Sequence, residues 1–266
     1  MTNLIPMAGE GKRFKDVGYT TPKPFIPVSG KPMIIQAARS MPASDKWIFV
    51  CRKEHVDDYK ISEVLRKEFT NAQIITVDKT TEGQAATCLL AKNLMDKDKP
   101  LFIGCCDAGM IWNRKKWGNL IGDKSIDAVI WAFTKQPNLV VNPKAWGWID
   151  VDSNNVVKRM SVKIPISGNP FNDQAVIGNF WFRTGQLFID MAEELIRKNI
   201  RVNNEFYVDS IPDVLIKHGK KVVTFVVDKY IGWGTPVDLQ TYEYWEDYFN
   251  KNPEHPYKKS LDPDYS

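Results

Sequence analysis

The sequence has few features of a secreted or membrane protein. Its 266 residues include only four cysteines, none in a C-x-x-C pair and two of them adjacent: Cys51, Cys88, Cys105 and Cys106. Adjacent cysteines do not easily form an ordinary disulfide or a zinc clip, which favours a reducing compartment. The apolar runs fall far short of the roughly 20 residues that a membrane span needs, and the amino terminus lacks the basic segment of a signal peptide. We therefore expect a cytoplasmic protein without a membrane partner.

An excess of one charge is also missing. The chain has 36 Lys and Arg against 32 Asp and Glu, a formal net charge of +4, and it contains no basic run. This balance argues against nucleic acid as the main partner and is compatible with small anionic substrates. The three histidines lack the spacing of zinc ligands. With 43% hydrophobic and 12% aromatic residues the chain can bury a sizeable core, which excludes a disordered regulator.

Strands and helices are predicted to alternate in the first half of the chain. Short apolar stretches predict strands at residues 3–6, 47–51, 73–77 and 101–104. Helical spacing of apolar residues, with proline at one helix start, predicts helices at residues 32–41, 54–69 and 84–95. This alternation is typical of a mainly parallel sheet with helices on both faces. We expect a Rossmann-like α/β fold.

The second half of the chain has a different order of predicted strands and helices. Strands are predicted at residues 127–133, 145–151, 156–162, 175–182 and 222–227, and helices at 186–198, 204–218 and 236–249. Four strands in succession with few helices between them indicate a small antiparallel extension. We expect one domain over residues 1–249, with halves meeting near residue 122, and a polar tail over residues 250–266.

A glycine-rich loop follows the first strand. Ala8-Gly9-Glu10-Gly11-Lys12-Arg13 lies at the carboxyl edge of the predicted sheet, where α/β proteins bind phosphates. Phe14 stands where the dinucleotide fingerprint needs its third glycine, and Gly11-Lys12 is followed by Arg13 rather than by the Ser or Thr of a P-loop. Both common phosphate motifs therefore fail, and a mobile basic surface loop is the alternative for these residues alone.

The longer pattern around this loop is more specific. The string I-P-M-A-G-E-G-K-R-F over residues 5–14 is followed by Pro22-Lys23-Pro24 and by Gly30-Lys31-Pro32-Met33. It resembles the signature of the nucleotidyltransferases, or pyrophosphorylases, that join a nucleoside triphosphate to a sugar phosphate. The resemblance implies their GT-A-like fold, with a nucleotide-binding half at residues 1–122 and an acceptor-binding half at 123–249.

The resemblance also implies roles for individual residues. Arg13 would grip the β- and γ-phosphates, Lys23 would bridge the α-phosphate and the incoming phosphate, and Lys163 would assist them in catalysis. Asp107 would hold Mg²⁺, the implied cofactor, against the α-phosphate. The nucleotide-binding residues would be Ala8, Gly9, Glu10, Gly11, Lys12, Gln84 and Cys106. The acceptor-binding residues would be Gly147, Trp148, Lys163 and Glu205. Gln84 matches a glutamine that some relatives place against a pyrimidine edge, although an exposed first-turn residue is the alternative.

Two positions depart from the family pattern. Val162 precedes Lys163 where the family usually has a glutamate that binds sugar hydroxyls, which argues against an ordinary hexose acceptor. Gly232 stands where many relatives have a second aspartate for Mg²⁺. The second metal ligand is therefore open between Asp209, Asp228 and Glu205, with phosphates and water as a further alternative.

The predicted activity is transfer of a nucleoside monophosphate from a triphosphate to a phosphorylated small molecule, with release of pyrophosphate. The subset with I-P-M-A-G and G-x-G-T-P resembles proteins of bacterial capsule and surface-polysaccharide clusters, and some of these resemble cytidylyltransferases, so we favour CTP. One alternative is a GT-A-type glycosyltransferase with a D-x-D motif at Asp150 and Asp152. A second is a nucleotide-sensing subunit without turnover. Relatives commonly assemble, so a homo-oligomer is compatible with the resemblance.

Overall fold

The computed structural model describes residues 1–254, which form a layered α/β structure. The strands are β1 (Thr2–Met7), β2 (Pro27–Val28), β3 (Lys31–Pro32), β4 (Lys46–Arg52), β5 (Ala72–Val77), β6 (Leu101–Ile103), β7 (Ala108–Ile111), β8 (Ala128–Phe133), β9 (Gly147–Val151), β10 (Val157–Val162), β11 (Gln174–Phe182), β12 (Val222–Val226) and β13 (Lys229–Gly232). The helices are α1 (Lys12–Lys15), α2 (Met33–Arg39), α3 (Lys53–Asp57), α4 (Ile61–Glu68), α5 (Gln84–Leu89), α6 (Arg114–Gly122), α7 (Pro137–Val141), α8 (Gly185–Arg197), α9 (Ile211–Lys217) and α10 (Pro236–Lys251). Single 3₁₀ turns lie at Lys23–Phe25, Pro143–Ala145 and Val208–Ser210.

Nine of the strands form the central sheet. Its order is β10-β9-β11-β6-β1-β4-β5, with β8 beside β11 and β12 beside β8. Strands β6, β1, β4 and β5 run parallel, whereas β11 is antiparallel to β6, β8 and β9. This confirms the predicted fold class, a parallel sheet with an antiparallel extension.

The core lies on both faces of this sheet. Leu4 and Ile5 are neighbours in β1 and both are fully buried, yet they belong to different clusters of packed side chains. Successive side chains of a strand point to opposite faces, so a strand covered on both faces must be apolar at every position. Each such side chain stabilises the fold by about 1.5–3 kcal/mol. Burial on both faces is therefore the reason why these strands are continuous apolar runs in the sequence.

Three predicted helices differ from the structure. The helix expected at residues 54–69 is divided into α3 and α4 because Lys60 adopts a left-handed conformation, with a φ of 51°. The helix expected at residues 204–218 begins only at Ile211, because Asn203 and Asn204 both have positive φ and close a turn. The helix expected at residues 84–95 ends at Leu89 and continues as tight turns.

Several short elements were not predicted. The most important are β7 and β13, which pair antiparallel and bring the turn after Gly232 against the loop that carries Asp107. Helix α10 extends to Lys251, so the predicted tail begins inside it. Residues 255–266 of that tail, which include the third histidine, lie outside the described residues. Within residues 1–254, no helix is both long enough and apolar enough to cross a membrane.

Candidate active site

A cleft of about 750 Å³ opens at the carboxyl edge of the parallel strands. It collects most of the residues predicted for binding and catalysis, although they come from loops far apart in the sequence. Its lining includes Ala8, Gly9, Glu10, Gly11, Lys12, Arg13, Lys23, Gln84, Cys106, Asp107, Gly147, Lys163, Glu205 and Asp209. The carboxyl edge of such a sheet is where α/β proteins place their ligands.

Two predicted residues lie outside this cleft. The ring of Trp148 is fully buried in the core, where its indole N–H donates to the Pro143 carbonyl at 2.9 Å. Its neighbour Gly147 faces the cleft, and alternation along β9 turns the next side chain away. Asp228 lies between β12 and β13, where its backbone N–H donates to the Ile111 carbonyl at 2.9 Å. The side chain of Trp148 therefore cannot contact an acceptor in the cleft, and Asp228 is not placed to share a metal with Asp107.

The glycine-rich loop forms one wall of the cleft. Gly11 caps α1 with a φ of 64°, and a Cβ at this position would lie 3.1 Å from the Cβ of Lys23. Glycine is therefore needed both for the backbone conformation and for the approach of Lys23. Phe14, at the site of the missing third glycine, is buried and packs edge-on against Tyr19 at 5.1 Å. It anchors the short helix that carries Arg13.

Lys23 and Asp107 form an ion pair inside the cleft, although 84 residues separate them in the sequence. Burial is the largest influence on Lys23 and would lower its pKa, but the charges of Asp107 and Cys106 and the hydrogen bond to Asp107 together outweigh burial, so the pKa is raised. Burial would likewise raise the pKa of Asp107, but Lys23, aided by Arg13, holds it below its ordinary value. Both groups are therefore charged at neutral pH, as phosphate binding and metal binding require.

The turn that follows β13 packs directly on Asp107. The Trp233 N–H donates to the Asp107 carbonyl at 2.9 Å, and a Cβ on Gly234 would lie 3.0 Å from Asp107 Oδ2. Among residues 1–254, no group of three metal-binding side chains is present. Mg²⁺ in nucleotide sites is commonly held by one or two carboxylates together with phosphates and water. The single carboxylate of Asp107 fits that arrangement.

Cys106 lines the cleft next to Asp107. Burial, reinforced by the charge of Asp107, raises the pKa of its thiol to about 12. A thiol becomes a nucleophile or a metal ligand only as the thiolate. Cys106 therefore offers a neutral contact to a ligand and no reactive group.

Lys163 lies on the opposite wall, at the end of β10. Its backbone is left-handed, with a φ of 70°, and its N–H donates to the Trp146 carbonyl at 2.9 Å. The ammonium group donates to the Ala145 carbonyl at 2.8 Å. Burial lowers the pKa of Lys163, and Arg13 lowers it further, while Asp209 and Glu205 oppose this effect. A left-handed backbone is strained in any residue other than glycine, and such strain is common at functional sites. Here it holds the Lys163 side chain at the cleft.

The segment after Gly83 joins the two walls. Gly83 has a φ of 126°, and a Cβ there would lie 2.5 Å from the backbone nitrogen of Phe206. Phe206 N–H donates to the Glu82 carbonyl at 2.8 Å, and Ala85 N–H donates to the Phe206 carbonyl at 2.9 Å. The start of α5, which carries Gln84, is thereby fixed to the segment that carries Glu205. We call this pair of backbone hydrogen bonds, together with Gly83, the 83–206 seam.

Some residues that line the cleft were not predicted. Thr80, Thr81 and Thr87 surround the start of α5, and Tyr207 lies beside Glu205. Tyr207 lies two residues after Glu205, and this closeness to a predicted residue could have indicated it. The threonines carry no comparable signal, because hydroxyl residues at a helix start are commonly caps.

The D-x-D residues of the alternative hypothesis are used elsewhere. Asp150 accepts a hydrogen bond from Arg159 at 3.2 Å, on the exposed side of β9. Asp152 accepts from the backbone N–H groups of Asn154 and Val156 at 2.8 and 2.9 Å, which closes a turn. Neither aspartate lines the cleft.

Comparison with known proteins agrees with this arrangement. The profile of the Nucleotidyl transferase family matches residues 2–249. The chain belongs to this family. No curated protein matches the sequence.

Solved structures share the nucleotidyl transferase fold at low sequence identity. The nucleoside-diphosphate-sugar pyrophosphorylase from Vibrio cholerae RC9 is 19% identical with a TM-score of 0.73, over 90% of this chain and 98% of that one. The inositol-1-phosphate CTP transferase from T. maritima is 15% identical with a TM-score of 0.71, over 93% of this chain and 96% of that one. At these identities the likeness establishes the fold.

Proposed function

We propose that the protein transfers a nucleoside monophosphate from a nucleoside triphosphate to a phosphorylated small-molecule acceptor and releases pyrophosphate. The observation that supports this most is the convergence of Arg13, Lys23, Lys163 and Asp107 on one cleft with the glycine-rich loop. Three cations around a single cavity suit a reaction in which two phosphate groups must meet despite their negative charges.

In the proposed reaction, an oxygen of the acceptor phosphate attacks the α-phosphorus in line. The bond between the α-phosphorus and the bridging oxygen breaks, and its electron pair leaves with pyrophosphate. Acceptor oxygens are already anionic, so no general base is required. Catalysis then consists of positioning and charge stabilisation. Lys23 would bridge the α-phosphate and the incoming phosphate, Arg13 would hold the leaving pyrophosphate, and Lys163 would receive the acceptor from the opposite wall.

Asp107 would hold Mg²⁺ at the α-phosphate, with phosphate oxygens and water as the other ligands. When bound, the ion would neutralise charge that develops on the phosphates. The ion pair with Lys23 keeps the Asp107 carboxylate ionised, and β7, β13 and the turn at Gly234 keep it in place. Asp107 would then be the one protein ligand of the ion, which is compatible with a glycine at position 232 in place of a second aspartate.

We propose CTP as the nucleotide and a role in bacterial surface-polysaccharide synthesis in the cytoplasm. Gln84, at the start of α5, lies where its side chain can contact a base held in the cleft. A solved relative in fold is a CTP transferase that is named for inositol 1-phosphate. The alternative of a nucleotide-sensing subunit rests on Val162 and Gly232, and it predicts binding of a nucleotide without pyrophosphate release.

The test is pyrophosphate release with Mg²⁺ across CTP, UTP, dTTP, ATP and GTP, each with a panel of phosphorylated sugars and polyols. Release that depends on both one nucleotide and one acceptor would support the proposal. Arg13→Gln should lower the rate of this release at least about 10²-fold, whereas Lys15→Gln, on the same helix but outside the cleft, should not change it. Nucleotide binding without release for any acceptor would favour the sensing subunit.

A further inference from the structure

One carboxylate in the cleft has no part in the mechanism above. Asp209 lies in the 3₁₀ turn at Val208–Ser210, between two buried residues, so its backbone is held by the core. Its side chain lines the cleft on the same wall as Gly147, Lys163, Glu205 and Tyr207. A partly buried carboxylate is costly unless something binds it.

Gly147 makes room for this carboxylate. A Cβ on Gly147 would lie 2.6 Å from Asp209 Oδ2 and 3.3 Å from a methyl group of Val176. Any side chain at position 147 would therefore displace the carboxylate from the wall. The space left by the missing side chain of Gly147 is filled by the Asp209 carboxylate, so the two residues together form a polar pocket.

Asp209 and Asp107 have different charged neighbours. The charge that acts on Asp209 is that of Lys163, and Lys163 in turn responds to both Asp209 and Arg13. The charges that act on Asp107 are those of Lys23 and Arg13. Asp209 is therefore coupled to Lys163, whereas Asp107 is coupled to Lys23, and the two carboxylates take part in different charge pairs of the cleft.

The carboxylate of Asp209 is left with free acceptor capacity. In the described part of the chain no lysine or arginine lies within ion-pair distance of it, and the cation whose charge acts on it is Lys163. The Lys163 ammonium group donates instead to the Ala145 carbonyl. The neighbouring wall residue Val162 is apolar and offers no competing acceptor. A ligand with hydroxyl groups can satisfy these oxygens, whereas a second anionic group would be repelled.

We propose that Asp209 determines acceptor specificity by accepting hydrogen bonds from acceptor hydroxyls while Lys163 binds the acceptor phosphate. The acceptor is thereby a phosphorylated polyol or sugar whose hydroxyls lie at the end opposite the phosphate. This inference rests on the proposed function, because it assigns the substrate of the same cleft. Sites built to bond a hydroxyl discriminate strongly against analogues that lack it, since the buried partner is then unpaired.

The experiment compares kcat/KM for two acceptors with two proteins. The acceptors are a polyol phosphate and its deoxy analogue, and the proteins are the wild type and Asp209→Ala. Removing the hydroxyl should lower kcat/KM of the wild type at least about tenfold and should have little effect on Asp209→Ala. KM for the nucleotide should stay within about twofold. Asp150→Asn, a β9 aspartate outside the cleft, is the matched control and should behave as the wild type.

Equal loss of activity with both acceptors in Asp209→Ala would overturn the inference and indicate a structural role. A raised nucleotide KM or a raised Mg²⁺ requirement would also overturn it, because Asp209 would then belong to the nucleotide site. Direct binding of the polyol phosphate, measured by calorimetry in the presence of a non-hydrolysable nucleotide, tests Asp209 independently of turnover. Hydroxyl-dependent binding that is lost in Asp209→Ala would support the inference even if absent pyrophosphate release contradicted the proposed function.

Discussion

Replacing Asp209 by asparagine is expected to make the protein more stable at neutral and alkaline pH. Burial raises the pKa of Asp209 from its ordinary value of 3.8 to about 6, although Lys163 partly offsets the effect. The folded state therefore holds this proton more tightly than the unfolded chain. Between pH 3.8 and about 6 the folded protein binds more protons, so the stability lost to this group increases as the pH rises.

The size of the effect follows from that pKa. At 1.36 kcal/mol per pH unit, a rise from 3.8 to about 6 corresponds to about 3 kcal/mol above pH 6. Part of the Asp209 side chain faces the solvent in the cleft, which screens the charge. We expect a gain of about 1–2 kcal/mol for Asp209→Asn at pH 8, or about 2–4 °C in Tm for a chain of this length. At pH 5 the gain should be about half as large.

The assay is thermal or urea unfolding of the wild type and Asp209→Asn at pH 8 and pH 5, with Asp150→Asn as the control for a partly exposed, ion-paired aspartate. A loss of stability for Asp209→Asn at pH 8 would refute the reasoning, because it would show that the folded protein stabilises this carboxylate. An equal gain at both pH values would refute the assignment of the effect to ionisation. Greater stability together with poorer acceptor use would mark Asp209 as a group kept for binding.

Three further predictions concern the frame of the cleft and its cations. Gly83→Ala should lower the free energy of urea unfolding by at least about 2 kcal/mol, because the new Cβ meets the Phe206 backbone. Gly118→Ala, in the open part of α6, should be neutral or slightly stabilising. Equal effects of the two substitutions would contradict the close approach. Lys23→Met should lower kcat at least about 10²-fold and also lower stability, since it leaves Asp107 as a partly buried carboxylate without its cation. Unchanged unfolding would show that solvent compensates that charge. Arg13→Ala should lower kcat about 10²–10³-fold with an unchanged Tm, measured by pyrophosphate release and thermal unfolding, and full activity would remove Arg13 from the proposed mechanism.

The sheet could be predicted because its signal is local. Apolar stretches separated by amphipathic ones specify buried parallel strands with helices between them. The break at Lys60 could not be predicted in this way, since a left-handed lysine leaves no mark on the apolar pattern. The short strands β7 and β13 were not predicted for a similar reason. Each has only four residues, and their pairing depends on contacts across about 120 residues of chain.

The candidate site could be predicted only in part from local pattern. The glycine-rich loop is a local motif, but its relation to Asp107 and Lys163 depends on the fold and came from the family resemblance. Gly147 and Trp148 were predicted together as neighbours in sequence, yet alternation along a strand sends them to opposite faces. Asp209 was predicted as a metal candidate from its residue type alone. Its position beside Gly147 and Lys163 could be found only in three dimensions.

The 83–206 seam has a consequence for how substrate choice can change in this chain. Its bonds join main-chain atoms, so they do not depend on which side chains line the cleft. Gln84 on one side and Glu205 or Asp209 on the other can therefore be exchanged without altering the spacing between base and acceptor. Gly83 itself cannot be exchanged, because its conformation and its contact with Phe206 exclude a side chain. The frame is thus fixed in the backbone, and new specificities can be obtained by point substitution around it.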